Sequence, residues 1–364
     1  MSAISKVPKP LLISGPIAEE IRRIYLAKQV LTFPTQTELS DTLTSVFKSL
    51  DVFYPIAEYL SPVEVINLTK VHKRLRNKQT NRWIIDRFRE NLYELMIESG
   101  HRPLTIRLKE LQTPWPFVIS GSIALQALLA VKWDKFDIDI YGKANGVKTV
   151  QTLLRSTGYK NFFERGDTND YYIQVQATQT LKSVKDWYNY VPDENEPPRS
   201  TVQVIELVGK VKTPGACVDS FDLDIVKNSW NGHTISVNNC SSLLQRTAIV
   251  SPHIEKILGT MGSLTGSLVK PSTRLYALQG KRVLTIDLSK WNFGFSDDII
   301  VGIYTKIFIR FRKYVQRGFI IHCNGKKWGK RQIDNIIDRL FTERTSHQRL
   351  KLVQEVLKTT EESK

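Results

Sequence analysis

Between Phe136 and Tyr141 the chain reads F-D-I-D-I-Y, an alternation that restricts its folding more than any other short stretch. A period of two is that of a β-strand, so Phe136, Ile138 and Ile140 share one face and Asp137, Asp139 and Tyr141 the other. The two carboxylates point the same way, about 6.6 Å apart along the strand. Like charges repel, and sinking them in a core without partners costs on the order of several kcal/mol. A divalent cation held between them removes the conflict. Just upstream, F-V-I-S-G-S leads into the apolar run I-A-L-Q-A-L-L-A, which predicts a helix. The Ser120-Gly121-Ser122 turn then offers backbone N–H groups at a helix N-terminus, where glycine lets anionic oxygens approach closely and Ser122 adds a hydroxyl.

A second acidic segment follows in S-F-D-L-D-I-V-K, Ser220 to Lys227. Read as a strand, it turns Phe221, Leu223 and Ile225 inward and leaves Asp222 and Asp224 on the other face, either one a candidate third carboxylate. Asn231-Gly232 then closes a hairpin onto Thr234 to Val237. Between the acidic segments the pattern predicts a helix at Val147 to Thr157 and strands at Asp170 to Ala177 and Thr201 to Val208, with a polar loop from Lys182 to Arg199. The Gly-rich stretch Gly259 to Gly266 lacks the Gly-Lys-Ser/Thr ending of a phosphate-binding loop and reads as a linker.

Charge is the strongest compositional signal: the 364 residues carry a formal net charge of +16. Such a balance favours polyanions, whether nucleic acid, nucleoside triphosphate or an acidic protein surface. From Lys281 onward there are 18 Lys and Arg against 9 Asp and Glu, and from Asp298 the pattern is mostly helical. In Ile303 to Arg317 the residues Tyr304, Ile307, Phe308, Phe311, Tyr314 and Val315 form an apolar face. Lys306, Arg310, Lys313 and Arg317 form a basic stripe about 17 Å long. Amphipathic helices are expected at Arg331 to Phe341, with Ile333, Ile336, Ile337, Leu340 and Phe341 buried, and at Arg349 to Leu357.

The N-terminal part is of another kind. Residues 1–40 read as a proline-rich arm around one short helix, Ile17 to Val30. Val46 to Arg76 reads as a helical hairpin whose second helix starts on a capping box, Ser61-Pro62-x-Glu64. Asn81 to Ser99 is an amphipathic helix stopped by Gly100, and Pro114-Trp115-Pro116 breaks the chain before the α/β part. There is no run of eighteen apolar residues and no apolar leader at the N-terminus, so no membrane contact is expected and the protein reads as intracellular. Three scattered cysteines fit a reducing compartment, and the six histidines show no metal-ligand spacing.

Two resemblances follow. The turn at Ser120-Gly121-Ser122, the Asp137-x-Asp139 strand and Asp222 in F-D-L-D resemble, over roughly residues 115–240, the nucleotidyltransferase superfamily with its polymerase-beta-like core. Adding T-V-Q-V-I-E-L and R-F-R-K-Y-V-Q-R-G-F-I-I, the match is closest to nucleotidyltransferase-like proteins of giant DNA viruses. The Y-L-S-P turn with V-H-K-R-L-R resembles an F-box, without its usual Leu-Pro opening. The resemblance implies an α+β fold: a nucleotidyltransferase core with a mixed sheet at 106–258, between a helical F-box-like domain at 41–105 and a helical basic domain at 259–364. It implies Asp137, Asp139 and Asp222 as catalytic residues and ligands of Mg²⁺ or Mn²⁺. Ser120, Gly121, Ser122 and either Lys306 or Arg310 would bind the NTP, Lys143 and Lys227 being alternatives. The implied reaction moves a nucleoside monophosphate to a hydroxyl of RNA or protein. An F-box implies an Skp1-type adaptor docked through Tyr59, Leu60, Pro62, Leu68 and Val71. The rival expectations are an inactive core that recruits targets to a host ubiquitin ligase, and a basic nucleic-acid-binding protein. For a viral chain the location is host cytoplasm, nucleus or virion.

Overall fold

The computed structural model describes residues 50–71, 75–134, 136–166, 181–188, 200–207, 211–252, 254–255, 258, 274–279, 282–287, 297–343 and 348–349. The expectations for Ile17 to Val30, Asp170 to Ala177 and Gly259 to Gly266, and nearly all of Arg349 to Leu357, lie outside them. The chain divides into two units, Met1–Asn81 and Arg82–Lys364.

In the first unit, α1 (Leu50–Ala57) and α2 (Pro62–Val71) flank the Ser61 turn, and α3 (Lys78–Glu98) begins. The capping box forms as the sequence predicts. The Ser61 amide donates to the Glu64 carboxylate at 2.8 Å, and the Glu64 amide donates back to the Ser61 hydroxyl at 3.4 Å. Phe53, Ala57, Val63, Val65 and Leu75 are buried. Tyr59 is exposed, Leu60 and Leu68 are half-buried and Pro62 is buried; the Val71 side chain lies outside the described residues.

The second unit is built on one mixed sheet. After α4 (Arg102–Glu110) come β1 (Phe117–Ser120), α5 (Gly121–Leu129), β2 (Ile138–Gly142), α6 (Ala144–Ser156), β3 (Lys160–Gly166), β4 (Leu181–Tyr188) and β5 (Val202–Leu207). Next are α7 (Pro214–Val218), a single 3₁₀ turn at Asp224–Val226, β6 (Ser229–Trp230), β7 (Ile235–Ser236), α8 (Cys240–Leu244) and β8 (Thr247–Ile249). The hairpin β9 (Arg274–Gln279) and β10 (Arg282–Asp287) precedes α9 (Asp297–Gln316), β11 (Ile320–Cys323), β12 (Lys326–Trp328) and α10 (Lys330–Thr342). The main sheet runs β3-β4-β5-β2-β1-β6-β7. Only β2 with β5 is parallel among its pairs; β1 pairs antiparallel with both β2 and β6.

The alternation in β2 sorts the two faces of this sheet. On one, Ile138, Ile140, Val202 and Val204 are buried and Trp187 lies beside them, with Arg155 of α6 placed 5.7 Å from its ring centroid. On the other, Tyr141 meets Phe221, and Ile205 and Leu207 pack with Cys217 of α7. The Pro114-Trp115-Pro116 break docks on the β6-β7 hairpin. The Trp115 amide donates to the Asn231 carbonyl at 2.7 Å, and a Cβ at Gly232 would lie 2.5 Å from the indole, so this turn requires glycine.

A buried polar cluster joins α3, α4 and the sheet. His101 Nδ1 lies 2.7 Å from the Tyr159 hydroxyl and its Nε2 lies 2.7 Å from Ser200 Oγ. The Ser200 hydroxyl donates to the Ser99 carbonyl at 3.2 Å, so it accepts from Nε2–H and leaves Nδ1 to accept from Tyr159. Burial pushes the imidazole down to about 4.

Several expectations are corrected. The predicted loop beginning at Lys182 opens as strand β4, because the segment carrying Val184, Lys185, Asp186 and Trp187 pairs with β3 on one side and β5 on the other. Ser220 to Lys227 is no strand: only Leu223 makes a bridge, to Val250, before the 3₁₀ turn. The region after Asp298 includes β11 and β12, and β11 pairs in parallel with β8. The buried face of α9 forms as expected, with Phe308 stacked on Trp328. In α10, Phe341 is exposed rather than buried, because it follows Leu340 by 100° around the helix and leaves the stripe of Ile333, Ile336 and Ile337. All three cysteines are buried. Among the described residues no helix is long and apolar enough to cross a membrane.

Candidate active site

The register of β1 and β2 brings the Ser-Gly-Ser turn to the acidic pair, since Ser120 is directly opposite Asp139. Gly121 sits at φ +74, and a Cβ there would lie 2.3 Å from Asp139 Oδ2. Only glycine lets the start of α5 pass this close to the carboxylate. The serines on either side of Gly121 are also tied into the fold. Ser120 is fully buried and its hydroxyl donates to the Asn228 carbonyl at 2.6 Å, tying β1 to the 3₁₀ turn. Ser122 is also buried, and its carbonyl accepts from Gln126.

Asp137 and Asp139 are half-buried on the face opposite Ile138, as the alternation predicts. Asp137 Oδ1 accepts from the Thr201 hydroxyl at 2.8 Å. Burial, then repulsion from Asp137, pushes the Asp139 carboxyl up to about 7, while Lys313 and Arg310 pull it down. Asp186 raises it further. The register explains why: Asp139 pairs with Gln203 on β5 and Gln203 with Asp186 on β4, so the three form one row across the sheet.

Asp222 and Asp224, equivalent in the sequence, separate here. Asp224 Oδ1 accepts from the Ile249 amide at 2.7 Å and Oδ2 from the Asn239 side chain at 2.9 Å, which makes it a structural tie. Asp222 faces α9. Its Oδ2 accepts from Arg310 at 2.7 Å and its Oδ1 from the Leu223 amide at 3.1 Å. Burial pushes its carboxyl up to about 6 against the pull of backbone N–H groups, Lys227 and Lys313.

The basic stripe of α9 is therefore turned inward at Arg310, toward carboxylates. Arg317 lies 4.0 Å from the centroid of the Trp133 ring, and burial lowers the Lys313 pKa while Asp139 and Asp137 raise it. The Lys306 side chain lies outside the described residues. Lys143 stands beyond the far end of β2, about 13 Å along the strand from Asp139. Lys227 is near Asp222 and Asp224, whose charges raise its pKa against burial.

Among the described residues, no three His, Cys, Asp or Glu side chains are arranged to hold a metal ion. Asp137 and Asp139 suit an oxygen-ligated divalent cation, being desolvated and mutually repelling. Asp222 Oδ2 and Oδ1 each accept one hydrogen bond, from Arg310 and from the Leu223 amide, so here its charge is answered by the helix cation. Sequence reading missed Lys313, Thr201, Gln203 and Asp186 as parts of the site. Thr201 and Gln203 alternate on the correct face of a predicted strand and were findable. Asp186 was hidden by reading its strand as a loop.

No known family matches the sequence, and no curated protein does. Among solved structures, a CCA-adding enzyme in an apo form is similar at 11% identity and a TM-score of 0.33. The likeness covers 73% of this chain and 50% of that one, so the chain spans half the length of that protein. Function has to be argued from the site.

Proposed function

We propose that the second unit is a nucleotidyltransferase that moves a nucleoside monophosphate from an NTP to a hydroxyl acceptor on RNA or protein. One observation carries the reading: the Gly121 turn presses the N-terminus of α5 against Asp139, beside Asp137. A triphosphate needs what this corner offers, which is close backbone N–H groups at a helix start next to carboxylates that can share a cation with it. In the reaction the acceptor oxygen attacks the α-phosphorus, the bond to diphosphate breaks, and the acceptor proton leaves. Asp137 and Asp139 would hold Mg²⁺ or Mn²⁺. When bound, such an ion neutralises charge on the phosphate oxygens. The acceptor proton passes to solvent water as the new bond forms. Arg310 and Lys313 supply fixed positive charge to the diphosphate.

The full chain, incubated with α-labelled NTPs, Mg²⁺ or Mn²⁺ and RNA or protein acceptors, should transfer label. Asp137→Ala should lower transfer about 10²–10³-fold, since several kcal/mol of charge stabilisation is removed. No transfer to RNA, to itself or to lysate proteins would sink the proposal.

A second reading has its own support. Asp222 is engaged by Arg310, and the capped α1-α2 hairpin leaves Tyr59 exposed. Both suit an inactive core joined to an F-box-like adaptor of a ubiquitin ligase. Recovery of an Skp1-type partner from cell extract, lost in Leu60→Ala and Leu68→Ala but kept in Asp137→Ala, would favour it. The basic nucleic-acid-binding reading is weaker, because it gives no role to the Gly121 turn against Asp139.

A further inference from the structure

Contacts along α9 fix one face of it against the acidic corner. Arg310 holds Asp222 Oδ2 at 2.7 Å. Seven residues on, Arg317 lies over the ring of Trp133, in the segment that leads into Asp137. Lys313 stands between them at spacings of three and four, on the same side of the helix. Its position there agrees with the charge it exerts on Asp137, Asp139 and Asp222. The helix thus brings Arg310 onto Asp222 and turns Lys313 toward the same acidic corner.

Among the described residues, the sheet row beside Asp139 offers no second carboxylate on the neighbouring strand. The residue in register with Asp139 on the neighbouring strand is Gln203, whose amide is neutral, and the next carboxylate in that row, Asp186, is two strands away, about 9.6 Å. A divalent ion at Asp137 and Asp139 would also be repelled by the Lys313 ammonium, whose charge those two carboxylates feel. Both effects set the helix cations against the metal.

We propose that α9 is a built-in competitor of the divalent cation: Arg310, held by Asp222, and Lys313, one turn further along the same side of the helix, set positive charge against the Asp137–Asp139 corner, and metal binds well only when they are withdrawn. This rests on reading Asp137 and Asp139 as cation ligands and adds a regulatory element to that site. A partner or substrate that draws off either side chain would switch the site on. The triphosphate itself has the chemistry to do so, since its oxygens compete for guanidinium and ammonium groups.

Metal-free full-length protein should be titrated with Mn²⁺ and the free ion followed by electron paramagnetic resonance. The proteins are wild type, Arg310→Gln, Lys313→Gln, and each variant combined with Asp139→Asn. Arg310→Gln and Lys313→Gln should each bind one Mn²⁺ per chain at least about tenfold more tightly than wild type, and Asp139→Asn should abolish the gain. Circular dichroism identifies folded variants. Lys313→Gln carries the test if Arg310→Gln, which strands Asp222, does not fold. Wild-type binding as tight as the folded variants, or a gain that survives Asp139→Asn, would overturn the proposal. The readout is occupancy, so a gain without nucleotidyl transfer would sink the transferase reading and leave this one standing.

Discussion

The sheet of the second unit carries two buried polar clusters on opposite faces, and consecutive residues of one strand entry serve both. Ser200 belongs to the His101–Tyr159–Ser200 cluster and Thr201 to the Asp137–Asp139 corner. The first is neutral and closed: each His101 ring nitrogen has a hydroxyl at 2.7 Å. The second is charged and crowded, with Asp139 repelled by Asp137 and drawn toward cations from α9. Burial alone therefore does not mark a functional cluster. What separates them is whether the polar groups answer one another or wait on a further charge.

The largest stability effect should lie on the neutral side. His101→Ala leaves the Tyr159 and Ser200 hydroxyls without their buried partner, which costs about 2–6 kcal/mol at 1–3 kcal/mol for each stranded group. Urea denaturation at pH 7.5 reads it. The same histidine predicts a pH dependence. Its folded pKa of about 4 lies below the unfolded value near 6.5, so below pH 6.5 the unfolded chain takes up a proton that the fold refuses. Stability should be full above pH 6.5 and fall by up to about 3 kcal/mol as pH drops toward 4. If His101→Gln shows the same acid-side loss, the cluster is not its source.

Gly121→Ala tests the closeness that the charged corner depends on. With φ at +74 and a Cβ 2.3 Å from Asp139 Oδ2, the substitution should cost about 1–3 kcal/mol. In an Asp139→Ala background the clash is gone and only the strain of positive φ remains, so the cost should shrink by about 1 kcal/mol. An unchanged cost in the double mutant would mean that Asp139 is not what the turn is built around.

A smaller effect of opposite sign comes from Asp139 itself. Its carboxyl is raised to about 7 in the fold against an ordinary value near 3.8. Between those values the folded state holds a proton that the unfolded state has lost, so stability falls as pH rises through 7. Asp139→Asn should therefore stabilise the chain by about 1–2 kcal/mol at pH 8, with the gain fading as pH falls toward 4. A thermal melt series across pH checks it. A stabilising loss of a carboxylate would be the mark of a group kept for function.

The strand holding Asp137 and Asp139 was legible because its apolar and acidic residues alternate without interruption. The Asn231-Gly232 hairpin was legible because its turn chemistry is specific. The apolar face of α9 was legible because six of its residues repeat with helical spacing. Asp222 was legible as a residue and not as a geometry: F-D-L-D-I-V alternates like a strand, but Asp224 is drawn into capping Ile249 and Asn239, which folds the segment into a 3₁₀ turn. The direction of the α9 stripe was not legible at all. A helix with cations at i, i+4 and i+7 looks the same whether it meets water, RNA or buried carboxylates, and only the sheet packed against it decides. The role of His101 was not legible either, because its partners Tyr159 and Ser200 lie 58 and 99 residues away, beyond the reach of any local pattern.

The finest separation of the two clusters is between neighbours. Thr201→Val keeps the shape of the side chain and removes only the donor to Asp137 Oδ1, a hydrogen bond to a half-buried carboxylate that water can partly replace. Its cost should be about 1 kcal/mol, read by denaturation. Ser200→Ala, one residue earlier, removes the acceptor for His101 Nε2–H in a site closed to water and should cost more, about 1–3 kcal/mol. Adding His101→Ala distinguishes them further. The Ser200→Ala cost should largely vanish in that background, because both act in one closed network, while the Thr201→Val cost should persist within about 0.5 kcal/mol. Equal coupling of both substitutions to His101 would mean that the sheet transmits between its faces and that the two clusters are one.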